Sequence, residues 1–387
     1  MKNHLNRNSY RILEEENGIS KKTACTLVNL VAEELIHSNE LTKLLKQQNY
    51  SGILLIDGKY VPVKEAAGEE RIRGFVPRSA KRRGKTKKGL VAIVCIDYLT
   101  HDIPIYDVFL SENSFDMRSI FKAMKEICYP LKILLCDETM GQIAEVAKEF
   151  FPDVIIQICC THYSKTIERT FVCSSAKRTY RAIEKQLNSL EESFLISTHN
   201  HDREKAVRLT NQMADLEHEY GYLWQVQELF CDLLWQVSGE KELAEWEDNF
   251  NEMIGQMNLK KYPHAKKIKD RYLDYYEKRE SITVSIRHPE LDIPRTTNLI
   301  EGWNSTTMEL RISSIRGFKK EQNARNYINA IILKYRFHKF TDCKKKFKNL
   351  NGKSPLEESL PMNIFGFNSE TSDWILFCKN IKEQAPK

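Results

Sequence analysis

No apolar run in this chain approaches the roughly 18 residues needed to cross a bilayer. Its first residues, MKNHLNRNSYRILEEEN, are polar and mixed in charge. A membrane anchor and a secretory leader are therefore not expected, and a cytoplasmic, prokaryotic setting fits. Disulfide spacing is missing too: the 10 cysteines are scattered along 387 residues. Reduced thiols in a reducing compartment are the reading that follows. Internal repeats are absent. Net charge is low, only +6, so the chain as a whole is not a polycation. What is present is an apolar fraction of 41%, enough for real cores, and a length that asks for two or three structural units.

The charge is informative in its distribution. Between Arg71 and Lys88 lie nine cations, Arg71, Arg73, Arg78, Lys81, Arg82, Arg83, Lys85, Lys87 and Lys88, and no acid. A second basic stretch, KYRFHKFTDCKKKFKNLNGK, runs from Lys334 to Lys353 and interleaves aromatic rings. Unopposed cations beside aromatics suit a nucleic-acid backbone. Solvated loops that keep the chain soluble are the bland alternative.

Periodicity divides the chain. Residues 1–50 read as helices, with Ser20 capping one that starts at Lys21. Two helices about the Asn17-Gly18 turn have the outline of a helix-turn-helix, a DNA-binding arrangement that any helical hairpin imitates. Residues 51–165 change to short β-branched runs: Ile53–Ile56, Leu90–Ile96, Ile105–Leu110, Lys132–Cys136 and Val154–Ile158. Helical patterns at Ser114–Cys128 and Gly141–Phe151 separate the later ones. The order predicts a meander followed by parallel strands, an α/β sheet with helices on its faces. Residues 166–292 carry helical stripes such as Ile183, Leu187, Leu190 and Phe194 and read as an all-helical insertion. Residues 293–345 return to the first unit. Residues 346–387 read as an irregular tail ending in an apolar turn, Trp374–Cys378.

Two strands run into acids. ILLIDGKY puts Asp57 after four apolar residues, and KILLCDETMG puts Asp137 after a similar run. A buried carboxylate is costly without a partner. Two of them side by side repel and make the oxygen-rich site that a hard cation such as Mg²⁺ favours. Singly, each is explained as an Asx-turn closing a strand. Asp97 fits a hairpin turn better, and Glu138 would point to the other face. The segment RTTNLIEGWNSTTMELRISSIRGFKKEQNARN adds a third acid, Glu301. Asn298 and Glu301 alone read as a capping box. Glu301, Asn304 and Met308 would share a helix face, and Arg311, Arg316, Lys319 and Lys320 downstream could line phosphates. Cys159 and His162 raise zinc, but no second close pair completes four ligands.

The string TTNLIEGWNSTTMELR…RGF resembles the acidic motif of Mutator-like DDE transposases and their bacterial insertion-sequence relatives. QICCTHYSKTIER looks like the Cys-x-x-His motif of that group, at Cys159 and His162. IDGKYVPV and LLCDETMG resemble its first-Asp and second-Asp strands. The resemblance covers roughly residues 50–340. It implies an RNase H-like core interrupted by a helical insertion, with Asp57, Asp137 and Glu301 holding two Mg²⁺ or Mn²⁺ ions. It further implies cleavage at element ends and 3′-OH strand transfer. Double-stranded DNA (element ends and target) is the expected partner, contacted by Arg78, Lys81, Arg82, Arg83, Lys85, Lys87, Lys88, His162, Arg295, Asn304, Arg311, Arg316, Lys319 and Lys320. Pairing two ends implies a homodimer or higher, nucleoid-associated when bound. Alternatives are an RNase H-like nuclease without strand transfer and a catalytically idle, domesticated DNA-binding protein. A purely structural coiled coil accounts only for residues 170–250.

Overall fold

The computed structural model describes residue 15 and residues 18–45, 49–63, 89–110, 114–137, 141–171, 174–194, 200–257, 261–313, 315, 318–360 and 373–384. The chain divides into two compact units, Met1–Ile156 with Thr297–Lys387, and Gln157–Thr296.

The first unit opens with helices α1 (Lys21–Glu34) and α2 (Ser38–Leu45). Ser20 caps α1 as expected, its hydroxyl accepting the Thr23 N–H at 3.1 Å. The helix that would precede it in a helix-turn-helix lies outside the described residues. Strands β1 (Ile53–Pro62), β2 (Gly89–Asp97) and β3 (Ile105–Phe109) form the antiparallel meander. Helix α3 (Ser114–Glu126), β4 (Ile133–Cys136), α4 (Gly141–Phe150) and β5 (Ile155–Ile158) follow. The five strands make one mixed sheet in the order β3-β2-β1-β4-β5, with β4 parallel to β1. Every residue of β2 is buried, which is why it reads as one unbroken apolar run. Leu54, Ile56, Leu134 and Cys136 share a core with Ile120, Phe121 and Met124 of α3 and Ile143, Val146 and Ala147 of α4. Alternation along a strand then turns Leu55, Asp57 and Leu135 to the opposite face.

The second unit is helical: α5 (Cys160–Phe171), α6 (Ser174–Phe194), α7 (Asn200–Trp235), α8 (Glu240–Gln256), α9 (Ala265–Ile282) and α10 (Val284–Arg287). The sequence predicts an all-helical insertion over 166–292; this unit spans Gln157–Thr296, and α5 joins its core through Tyr163, Ile167 and Phe171. Phe230 anchors its core against Trp246, Phe250 and Tyr275, with ring centroids 5.4–5.9 Å apart.

Back in the first unit come α11 (Asn298–Trp303), a π-helical turn (Asn304–Glu309), α12 (Leu310–Ser313) and α13 (Glu321–Phe337). The N-terminal helices are built onto α13 rather than standing apart: Asn329 accepts the Ser38 N–H and donates to the Ile36 carbonyl, both at 2.9 Å. The tail is more regular than expected. It holds α14 (Pro355–Ser359) and α15 (Trp374–Gln384). The missed signal is Ser354-Pro355-Leu356-Glu357, a capping box with proline at the first helical position. No helix among the described residues is long and apolar enough to cross a membrane.

Candidate active site

The site begins at Gly52. Its φ of +81° is open to glycine at little cost, and a Cβ there would lie 2.3 Å from the Pro130 carbonyl oxygen. That close approach lets the Gly52 carbonyl accept N–H bonds from Lys132 (2.9 Å) and Ile133 (3.0 Å), which locks the start of β1 against β4. The parallel register pairs Ile53 with Ile133, Leu54 with Leu134 and Leu55 with Leu135. Continued by two residues, it sets Asp57 level with Asp137. Adjacent strands lie about 4.8 Å apart, and residues at one level of a parallel pair face one side.

Asp57 does not end its strand as expected; it is the fifth of ten residues in β1. The strand that ends here is β4, at Cys136, and Asp137 follows it, partly exposed. Past Leu55, β1 is paired with β2 as far as Pro62, whose carbonyl also accepts the Phe318 N–H at 3.0 Å. Asp57 is partly exposed there. Asp57 Oδ1 accepts the Gly58 N–H at 2.8 Å, and Oδ2 accepts the Asn304 side-chain N–H at 2.7 Å.

The helix carrying Glu301 starts one residue earlier than a cap at Asn298 would require. Thr297 is its N-cap and Asn298 its first residue, so the Asn298–Glu301 capping box does not form. The Thr297 hydroxyl, itself buried, donates to Glu301 Oε1 at 2.7 Å and holds the carboxylate in place. One turn on, the helix widens into its π turn, beginning at Asn304. Single π turns within α-helices recur at functional sites because the extra residue re-aims side chains. Here Asn304 is 4% exposed, its amide nitrogen is spent on Asp57, and its Oδ1 is buried with no hydrogen-bond partner among the described residues. Buried amide oxygens are rarely left in this state. Asn304, one of the residues expected on DNA, bonds the Asp57 carboxylate here. At the open end of the turn Glu309 pairs with Lys59 at 2.6 Å, a bridge between β1 and the helix. The oxygens of Asp57, Asp137 and Glu301 do not all lie within 4.8 Å of one another.

Other acids are accounted for structurally. Asp97 is fully buried; Oδ1 accepts from Leu99 N, Thr100 N and the Thr100 hydroxyl, and Oδ2 from Ser51 N, the Ser51 hydroxyl and the Tyr129 hydroxyl. It staples the hairpin turn, as expected. Asp102 is buried against Arg336. Glu138 lies outside the described residues.

Of the cations expected on DNA, Arg78, Lys81, Arg82, Arg83, Lys85, Lys87, Lys88 and Arg316 also lie outside the described residues. Lys319 and Lys320 are exposed before α13. Arg311 is half-buried, and its guanidinium donates to the Thr307 carbonyl at 2.6 Å. His162 is partly buried on α5. Arg295 donates to the Leu234 (3.1 Å) and Val237 (2.6 Å) carbonyls, where a cation satisfies the end of α7. No protein-family model matches the chain, and no curated protein matches it.

Proposed function

We propose that this chain is a metal-dependent phosphoryl-transfer enzyme acting on DNA, a transposase of the DDE type with an RNase H-like core. The observation that carries the reading is the β1–β4 register, whose last pair is Leu55 with Leu135 and which, continued by two residues, would set Asp57 level with Asp137 just past the end of β4. Glu301 and Asn304 belong to the helix whose amide reaches Asp57. The residues fit a hard divalent cation. They are all oxygen donors, and the buried Oδ1 of Asn304 has no partner among the described residues.

Asp57, Asp137 and Glu301 would hold Mg²⁺ or Mn²⁺. Bound there, two such ions would supply activation of the attacking oxygen and stabilisation of the leaving 3′ oxygen. The chain's own residues do the positioning. Asn304 fixes the rotamer of Asp57, and the Thr297 hydroxyl fixes that of Glu301. Lys319 and Lys320 are exposed donors for the DNA backbone, and the expected partner is double-stranded DNA bound by a homodimer or larger assembly. Water serves first as nucleophile, then the freed 3′-OH, so no covalent protein–DNA bond is required.

The test is Mg²⁺- or Mn²⁺-dependent cleavage and strand transfer on DNA carrying the element's ends. Wild type is compared with Asp137→Asn and Glu301→Gln. Joined products that vanish in both variants are expected. Cleavage without joining would favour a nuclease, and cleavage that survives Glu301→Gln would remove Glu301 from the catalytic set.

A further inference from the structure

Beyond α13 the second basic stretch closes into a loop. At its neck the Phe340 N–H donates to the Lys353 carbonyl at 2.9 Å, and the Phe340 carbonyl accepts the Gly352 N–H at 2.8 Å. Asn351 closes it a second time: its amide donates to the Cys343 carbonyl at 3.0 Å and accepts the Cys343 N–H at 2.8 Å. Between these clamps a 3₁₀ turn runs from Lys345 to Leu350. Two residues take the left-handed region, Gly352 at φ +86° and Lys345 at φ +52°. Glycine adopts that conformation freely, but a lysine there is held against its own preference.

The aromatic rings of this stretch are the footing of the loop. Phe347 lies on His101 (4.4 Å between centroids) and edge-on to Tyr98 (5.4 Å), and Phe340 is edge-on to His101 at 5.6 Å. Tyr98 and His101 are buried residues of the β2–β3 turn, and Leu350 is buried as well. The Lys346 ammonium sits 4.6 Å over the Tyr98 ring. What remains outside is charge. Lys344, Lys345 and Lys348 are exposed, and among the described residues none of the three is in an ion pair. Asp342 is the one acid between Phe340 and Lys353. A solvated charge run needs neither a clamped neck nor an apolar footing. Like charges repel, and this loop holds them together. The ordering that a flexible basic tail undergoes on binding is already complete here.

We infer that this loop grips the phosphate backbone of double-stranded DNA through Lys344, Lys345 and Lys348, without reading sequence. The choice of DNA rests on the function proposed above; the charge and the geometry do not depend on the carboxylates. Ammonium groups act as point charges and suit phosphate oxygens, which position a protein on a duplex but carry no sequence. The rings of Phe340 and Phe347 are engaged by His101 rather than offered to an unstacked base, so the loop is not a single-strand reader. An anionic membrane fits less well, because stable attachment to lipid adds inserted apolar side chains to the charge, and here those side chains pack on the protein.

The test is equilibrium binding of the full chain to two short duplexes of unrelated sequence, in EDTA so that no strand is cut, across a range of salt. Wild type should bind both alike, more weakly as salt rises. Lys344→Gln, Lys345→Gln and Lys348→Gln combined should weaken binding to both by roughly 100-fold at about 0.1 M salt and flatten the log–log salt slope by about 2 to 3. Lys344→Arg, Lys345→Arg and Lys348→Arg combined should retain binding. The glutamine variant should melt at or above the wild-type Tm, since mutual repulsion has been removed. A lower Tm would make the lysines structural and overturn the inference. So would a loss confined to one duplex, or a variant that releases mixed phosphatidylserine–phosphatidylcholine vesicles while holding DNA as before. An unchanged salt slope with DNA-binding wild type removes the loop alone; wild type that binds neither duplex removes the DNA-acting reading with it.

Discussion

Arg336 and Asp102 form an ion pair in which neither side chain is exposed, with Nε to Oδ1 and Nη2 to Oδ2 both at 2.8 Å. The rest of the guanidinium is spent on the Ser38 carbonyl, the Ser38 hydroxyl and the Thr42 hydroxyl. Asp102 also accepts from the Tyr50 and Ser359 hydroxyls. One residue of α13 thereby ties α2, the β2–β3 turn and α14 together. Burial alone would lower the Arg336 pKa; Asp102, with Tyr50 and Cys378, together outweigh that, and the guanidinium is held above its usual value.

Removing one partner leaves the other buried and uncompensated. Arg336→Ala and Asp102→Asn should each cost roughly 3–5 kcal/mol. Urea unfolding followed by circular dichroism measures this. A loss below about 1 kcal/mol in both variants would mean that the pair is not held as described.

The Arg336 pair also shows what the sequence hides. Arg336 stands in KYRFHK, within a stretch that reads as cationic surface, yet it is one of the largest fully buried side chains. Composition reports charge, not where the partner carboxylate lies 234 positions away. The strands were legible because β-branched apolar runs of five or so residues announce them. The extent of β1 was not: Gly58-Lys59-Tyr60 interrupts the apolar run, because past Leu55 no β4 residue is paired with it. Asp57 and Asp137 stood out because a carboxylate after a buried run is physically expensive. The π turn left no mark, since an i→i+5 turn is fixed by packing rather than by local preference. Thr297 was legible in principle, a hydroxyl four residues before Glu301, but Asn298 is the stronger cap on paper.

A second prediction concerns acid. His101 is buried against Phe347, ring centroids 4.4 Å apart, and burial lowers its pKa from the usual 6.5 to about 4. The folded state thus refuses a proton that the unfolded chain accepts. Above pH 6.5 the residue costs nothing. As pH falls from 6.5 toward 4 stability drains away, by up to about 3 kcal/mol if the shift is fully expressed. His101 has φ +57°, so the replacement must tolerate the left-handed region, and His101→Asn does. Its stability should fall less steeply than wild type between pH 6.5 and 4. Parallel slopes would show that other groups govern the acid limb.

A third prediction isolates Asn304. Asn304→Ala removes the donor that orients Asp57 and the buried oxygen beside it. Partners of ligating groups typically matter by about 10–100-fold in metal affinity. Mn²⁺ titration followed by electron paramagnetic resonance should show a loss of that order, independent of any DNA assay. Unchanged Mn²⁺ affinity would reduce Asn304 to a packing residue.

The last prediction sets two aspartates against each other. Asp97 accepts six hydrogen bonds, three on each oxygen, and an amide at that position would aim N–H groups at donors. Asp97→Asn should therefore lose several kcal/mol of stability whether or not a cation is present. Asp57 has the opposite balance. The proposed site sets it near a second carboxylate, Asp137, so neutralising it relieves repulsion and should leave Tm in metal-free buffer level or slightly higher. What Asp57→Asn should lose is the Tm increase that Mg²⁺ or Mn²⁺ gives the wild type, because a cation that binds only the folded state raises stability by mass action. Thermal melts of the two variants with and without Mn²⁺ decide it. If Asp57→Asn unfolds as readily as Asp97→Asn without cation, Asp57 is a structural carboxylate and the cation site must be sought elsewhere. If instead its melt is intact and no longer responds to Mn²⁺, stability has been exchanged for a charged site, which is the signature of a functional one.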